Sequence, residues 1–214
     1  QVSAAGPYRG LVALDAVASH LRAAPGQTFH VALDLALADG WVYYSPDAGG
    51  RVLPARLEVQ AGPLAAGEPL WPQDVPKADP VLGEVLNVYT GRVVVYVPLT
   101  VPAGAAEGEV RVVLTPAGQI CKEVCLPLEG LRAEASVTVA AEAEPNPAWS
   151  ADAAIAGGLA SAMPASRLRD AREWARPSPA AAAPAAPASA PQGAGLTVWG
   201  GLGLALLAGL TLNI

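Results

Sequence analysis

The chain holds two cysteines, Cys121 and Cys125, within Ile120-Cys121-Lys122-Glu123-Val124-Cys125-Leu126-Pro127. If this segment is a hairpin loop, the two face each other across a three-residue turn. Opposed strand positions lie about 4.5 to 5.5 Å apart at Cα, inside the range of roughly 4.4 to 6.8 Å that a disulfide spans. A bridge that closes so small a loop removes little entropy from the unfolded chain, which favours a redox role over a stapling role. Three chemistries fit the pair on its residues alone: dithiol-disulfide exchange, an inert local disulfide, and a Cu(I) site in which both thiolates are ligands. Zinc fits poorly, because neither His20 nor His30 has ligand spacing and no second cysteine pair exists. Lys122 and Glu123 are candidate modulators, since an ammonium lowers a thiol pKa and a carboxylate raises it. Their plainer reading is as solvent-facing turn residues.

The elements that must hold these cysteines read as strands. From Phe29 the chain alternates, with Val31, Leu33, Leu35 and Leu37 on the same side, the period of a half-buried strand. Arg56 to Val59, Arg92 to Leu99, Glu109 to Leu114 and Leu131 to Ala140 share this character. Turn signals such as Asp39-Gly40, Gly49-Gly50, Thr90-Gly91 and Ala103-Gly104 punctuate the runs. Short strands at such spacing predict a mainly β protein, an antiparallel sandwich. Leu11 to Leu21 fits either a strand or a short helix.

After Val139 the pattern changes. Ser150 to Met163 is Ala-rich, with Ser150 as an expected N-cap and Pro164 as a stop. A second short helix is expected from Ser166 to Ala175, its Arg167, Arg169, Arg172 and Arg176 forming a solvated face. Residues 177–195 are almost wholly Ala, Pro, Ser and Gly and read as a linker. Residues 196–214 carry no charge over 19 positions, close to the roughly 20 that cross a bilayer. The expected organisation is thus a folded domain over 1–142, a short helical segment over 143–176, a linker over 177–195, and the start of a transmembrane helix at 196–214.

The net charge of -6 and the lack of a basic stripe exclude a nucleic-acid partner. Through Glu142 there are 9 Lys/Arg against 15 Asp/Glu, so this region carries the whole imbalance. The chain opens on Gln rather than Met, and a processed or trimmed N-terminus is expected.

Several motifs together resemble one family. Gly40-Trp41-Val42-Tyr43-Tyr44-Ser45-Pro46-Asp47-Ala48-Gly49 followed by Leu53-Pro54-Ala55-Arg56-Leu57-Glu58 is similar to the signature of the DsbD amino-terminal (disulfide bond corrector) domain family, which includes the ScsB proteins. Trp71-Pro72, Tyr89-Thr90-Gly91, Pro98-Leu99-Thr100-Val101-Pro102 and Ile120 to Pro127 recur there in that order. Gly203 to Leu210 resembles the first membrane helix of the same proteins. The resemblance implies an immunoglobulin-like sandwich in the periplasm, anchored to a bacterial inner membrane. It implies a protein-disulfide reductase activity that passes electrons from a membrane domain, by way of a thioredoxin-like domain, to thioredoxin-fold partners. Members are linked to cytochrome c maturation and copper tolerance, and C-x-x-x-C resembles the copper-tolerance branch. Carried over by position, Cys125 forms the mixed disulfide and Cys121 resolves it. No bound cofactor is implied, because the electrons reside in the cysteine pair. An aromatic-bearing cap loop shields the disulfide in the family, and Tyr89 and Trp71 are the residues expected in that part.

Overall fold

The computed structural model describes residues 2–3, 8–79 and 82–175. Sixteen strands are described: β1 Val2–Ser3, β2 Val12–Ala18, β3 His20–Ala23, β4 Thr28–Leu37, β5 Val42–Tyr44, β6 Arg56–Gln60, β7 Ala65–Ala66, β8 Leu70–Trp71, β9 Val75–Asp79, β10 Glu84–Thr90, β11 Arg92–Thr100, β12 Gly108–Cys121, β13 Cys125–Leu128, β14 Ala133–Val139, β15 Glu144–Pro145 and β16 Met163–Pro164. Helices α1 Pro147–Ala151, α2 Ala153–Gly158 and α3 Ala165–Ala175 follow the last long strand. One sheet runs β1-β2-β4-β11-β8-β16, with β7 also on β11. The other runs β15-β3-β14-β12-β5-β10-β9, with β13 and β6 also on β12. Their facing sides bury one core, in which Leu14, Val31, Leu33, Leu35, Val93, Val95 and Val97 meet Val112, Leu114, Ile120, Tyr43, Tyr89 and Val137. This is the immunoglobulin-like sandwich expected from the strand pattern and the resemblance, antiparallel except where β14 pairs with β3.

The alternation in β4 has its expected cause. Phe29, Val31, Leu33, Leu35 and Leu37 are all buried, while Asp34 on the other face is half-buried and reaches solvent. By contrast, β11 is buried on both faces, which is why its sequence from Val93 to Val97 is a continuous apolar run rather than an alternating one. Val93, Val95 and Val97 enter the main core; Val94 and Tyr96 join Ala32 and Ile155 in a second cluster on the outside of the sheet. The ambiguous run from Leu11 resolves as strand β2, which pairs with β4 from Val12↔Leu37 to Ala18↔Val31.

The expected boundary near Glu142 does not fall at the edge of the folded body. All described residues belong to one compact unit that extends past it. Residues 144–175 form a strap: β15 pairs with β3, α1 and α2 lie over the outside of the first sheet, β16 pairs with β8, and α3 plugs the core with Leu168, which is fully buried. The Ala-rich composition hides this, because among the described side chains of the stretch only Ile155 and Leu168 are buried anchors. The caps also differ from expectation. Asn146 and Asp152, rather than Ser150, accept the free N–H groups of α1 and α2, and Pro147 takes the first turn. Asn146 further donates to Ala18 O at 2.8 Å, and Tyr96 Oη donates to Ile155 O at 2.8 Å. Arg92 ties the strap to the sheet, gripping Asp34 at 2.8 Å and Asp152 at 2.5 Å.

Nor do the α3 arginines form a plain solvated face. Arg172 is largely buried and pairs with Asp74 at 2.5 Å and with Asp47, while Arg169 meets Asp47 at 2.9 Å. Asp74 is itself buried and also accepts from Ser45 Oγ at 2.5 Å. A buried carboxylate is tolerable only with such partners. Helix α3 therefore supplies the charge that lets the loops after β5 and before β9 close over the end of the core.

Two outcomes follow for stability. Leu168→Ala should lower the unfolding free energy by about 2 to 4 kcal/mol in urea melts, since it deletes a buried anchor and leaves a cavity. The second is pH-dependent. The Arg169 hydrogen bond, helped by Arg172 and opposed by burial, holds the Asp47 carboxyl below its ordinary range. The folded state then binds the proton less readily than the unfolded chain, so the contribution is complete at neutral pH and is lost as pH falls below about 4. The urea midpoint should drop less between neutral pH and pH about 3 in Arg169→Ala than in the native chain.

Candidate functional site

Strand β12 is the longest of the described strands and ends at Cys121. Its last four residues pair with β13 in the register Gly118↔Leu128, Gln119↔Pro127, Ile120↔Leu126, Cys121↔Cys125. On its other side Ile120 and Cys121 pair with Tyr43 and Val42 of β5. The hairpin expected from the spacing is therefore present, and its final pair is the two cysteines. They are joined as a disulfide with Cα atoms 4.2 Å apart. The hairpin is held from several sides. Tyr43 Oη donates to Ala117 O at 2.6 Å, and Tyr8 Oη donates to Pro127 O at 2.5 Å while accepting from Glu129 N at 3.1 Å. Gly118 adopts φ +127°, and a Cβ there would lie 2.8 Å from Pro54 O, so only glycine lets the 54–55 backbone approach.

The two sulfurs sit in unlike surroundings. Cys121 is 5% exposed, while Cys125 is exposed along with Lys122, Glu123 and Val124 of the loop. Because side chains alternate along a strand, Cys121 shares the outer face of its sheet with Val42, Tyr44, Leu86 and Val88. Ala48 and Val52, from the loop after β5, complete this small cluster. Gln119, two residues earlier on the same face, donates from Nε2 to Cys121 Sγ at 3.0 Å.

A half-open pocket of about 60 Å³ lies against Cys121, lined by Gly40, Tyr44, Lys77, Asp79 and Lys122 among others. Lys122 reaches back over the β4–β5 turn to donate from Nζ to Asp39 O at 3.3 Å. It can lie there because Gly40 has no Cβ, which would come within 2.9 Å of Lys122 Cε. Across the pocket, Tyr44 Oη donates to Asp79 Oδ2 at 2.9 Å. Burial, reinforced by the Asp79 carboxylate, pushes the Tyr44 phenol up to about 12, so it remains a donor at neutral pH.

Of the residues singled out from sequence, the structure gathers Cys121, Cys125, Lys122 and Glu123 in one loop and pair. It does not bring Trp71 and Tyr89 to them. Those two rings stack at 6.2 Å inside the main core, and Tyr89 Oη donates to Pro72 O at 3.1 Å. Tyr89 alternates with Val88, which puts the two on opposite faces of β10. The aromatic beside Cys121 is Tyr44, and the strand that reaches over the pocket is β9, with Lys77 and Asp79. Gln119, Gly40, Tyr44, Lys77 and Asp79 were not singled out as site residues. The i, i+2 spacing of Gln119 and Cys121 on one strand is a signal that could have found the first of these.

Among the described residues, no group of three His, Cys, Asp or Glu side chains could hold a metal ion. A Cu(I) site would need both sulfurs as thiolates, and here they are bonded to each other. After reduction, limiting iodoacetamide should modify Cys125 at least several-fold faster than Cys121, as read by peptide mass spectrometry, because only the former is exposed.

Comparison with known proteins agrees with this geometry. No curated protein sequence matches the chain. The N-terminal periplasmic domain of ScsB from Proteus mirabilis superposes with a TM-score of 0.50 at 18% identity, covering 74% of this chain and 57% of that one, and so shares its fold. The chain thus spans just over half the length of that domain. The reduced DsbD N-terminal domain of Neisseria meningitidis is similar at 21% identity and a TM-score of 0.38, over 65% of this chain and 94% of that one. The sequence profile of the thiol:disulfide interchange protein DsbD N-terminal domain matches residues 11–136, which include the sandwich strands β2 to β13 and both cysteines. The chain belongs to the DsbD N-terminal domain family of thiol:disulfide interchange proteins.

Proposed function

We propose that this domain is a protein-disulfide reductase component that carries two electrons on Cys121 and Cys125, accepting them from a membrane electron-transfer domain and delivering them to thioredoxin-fold partners in the periplasm. The observation that carries this reading is the asymmetry of the pair: an exposed Cys125 at a hairpin tip, bonded to a Cys121 that is nearly buried. A bridge between directly paired residues of one hairpin adds little to stability, and an exposed sulfur is open to attack. Family membership supports exchange in general; the direction of flow and the partners are part of the proposal.

In the delivering half-reaction, the Cys125 thiolate attacks a sulfur of the oxidised partner, forming a mixed disulfide as the partner's own S–S bond breaks and its second sulfur leaves as a thiolate. The Cys121 thiolate then attacks Cys125 Sγ and expels the first partner sulfur. The domain ends as a disulfide, oxidised by two electrons, and the partner as a dithiol that has gained those electrons and the two protons. Reloading runs in reverse, with a donor dithiol attacking Cys125. The uncharged run at 196–214 supports an anchor beginning there, and 177–195 a tether between anchor and domain. Both lie outside the described residues. Among the described residues no helix is long and apolar enough to cross a membrane.

Removing the resolving sulfur should trap the intermediate. Reduced Cys121→Ser, mixed with an oxidised thioredoxin-fold protein, should accumulate a covalent adduct on non-reducing electrophoresis, and Cys125→Ser should accumulate far less. The reverse order would exchange the two roles. If neither variant forms an adduct, and the wild-type disulfide stays closed before a reduced thioredoxin-like donor, the exchange reading fails.

A further inference from the structure

Reloading makes unlike demands on the two sulfurs. When a donor thiolate attacks Cys125 Sγ, a new S–S bond forms there, the bond to Cys121 breaks, and its electron pair leaves on Cys121 Sγ. The negative charge therefore appears on the sulfur that is only 5% exposed. Burial disfavours a thiolate, and a poor leaving thiolate slows exchange, so such a site works only if fixed donors receive the charge. One donor is already aimed at it. Gln119 lies on the same strand face two residues before Cys121, and its Nε2 stands 3.0 Å from Cys121 Sγ. A disulfide sulfur is a weak, neutral acceptor, whereas a thiolate is a charged one. The same contact therefore strengthens as the bond breaks, which is the condition for lowering a barrier rather than merely binding.

The charged groups around the pocket favour the same sign. Lys122, laid over Gly40, and Lys77, from β9, line the pocket together with Cys121. Opposing them is Asp79, which accepts the Tyr44 hydroxyl, and Glu123 in the exposed loop. At the pocket itself two ammonium groups stand against one hydrogen-bonded carboxylate.

We propose that Gln119 is a catalytic residue of the exchange reaction, donating to the thiolate that forms on Cys121, with Lys122 as a positioning residue that fixes positive charge over the same pocket. This rests on the exchange reading above. The test uses Cys125→Ser, in which Cys121 is the lone thiol, titrated by ultraviolet thiolate absorbance. Gln119→Leu in that background should raise the midpoint by about one pH unit, the scale of one hydrogen bond to a charged group. Gln119→Glu keeps the shape but brings a like charge, so it should raise the midpoint further, and Lys122→Met should raise it by less than Gln119→Leu. With both cysteines present, reduction of the disulfide by dithiothreitol, which needs no protein recognition, should slow roughly three-fold in Gln119→Leu and more in Gln119→Glu. A mere packing role would make the isosteric Gln119→Glu the milder change; that order, or unshifted midpoints in a chain that does exchange with a thioredoxin-fold protein, overturns the role of Gln119. If neither Cys121→Ser nor Cys125→Ser forms an adduct with such a protein, and the wild-type disulfide stays closed before a reduced thioredoxin-like donor, the exchange reading fails and with it the catalytic role.

Discussion

An antiparallel ladder leaves no freedom over which side chains face one another, and the chemistry of this protein depends on that constraint at one position. Strand β12 is locked along its length: β14 pairs with its first half, β6 with its middle, and β13 and β5 flank its end. A slip of one residue between β12 and β13 would send Cys121 and Cys125 to opposite faces, and a slip between β12 and β5 would bring Ile120 out of the core. The core contacts of Ile120, Leu114 and Val112, all fully buried, therefore fix where the sulfurs meet. Reactivity at the tip is set by hydrophobic packing several residues away.

The second dependence runs through charge. Asp74 is buried with its side chain wholly covered, and besides its neighbour Gln73 its partners come from two distant places: Ser45, just after β5, and Arg172 on α3. Ser45 directly follows Tyr44, which walls the pocket at Cys121, and Asp47 leads to Ala48, which packs in the cluster around Cys121. The strap thus braces the loop that covers the outer face of β5 and β10. Breaking the Arg172–Asp74 pair would leave an uncompensated buried charge, a loss of about 3 to 5 kcal/mol. Replacing both partners by apolar residues would be far milder. A segment whose composition suggested a passive tether is part of the body that holds the site.

What could be read from sequence follows from how locally each feature is encoded. The alternation of β4 and the three-residue cysteine loop are short-range patterns, and both appear in the structure as expected. Strand β10 is not legible in the sequence, because Glu84 to Thr90 mixes Leu86, Val88 and Tyr89 with Asn87 on two differently buried faces, leaving no clean period. The placing of Trp71 and Tyr89 needed knowledge of which face each strand turns inward, and that is decided by pairing between residues far apart in the chain. The α3 arginines show the same limit. Arg169 and Arg172 are one helical turn apart and look alike in sequence, yet Arg172 lies over a buried aspartate supplied from 98 positions earlier, and Arg169 stays largely in solvent.

In the proposed exchange, the unequal burial of the two sulfurs also orders the reaction in a way their spacing could not. Attack on a disulfide requires the incoming sulfur to approach along the S–S axis, from behind the sulfur being struck. Cys121 packs in one cluster with Val42, Tyr44 and the covering loop, whereas Cys125 is exposed. On the proposed exchange reading, a macromolecular thiol meets the exposed Cys125, and the buried Cys121 acts within its own domain. On that reading the division keeps the partner from attacking both ends of the bridge, and it leaves the transient thiolate on the sulfur to which Gln119 already donates, beside the pocket that Lys77 and Lys122 line. In that proposal the fold separates the sulfur that recognises from the sulfur that releases, by burying one and exposing the other.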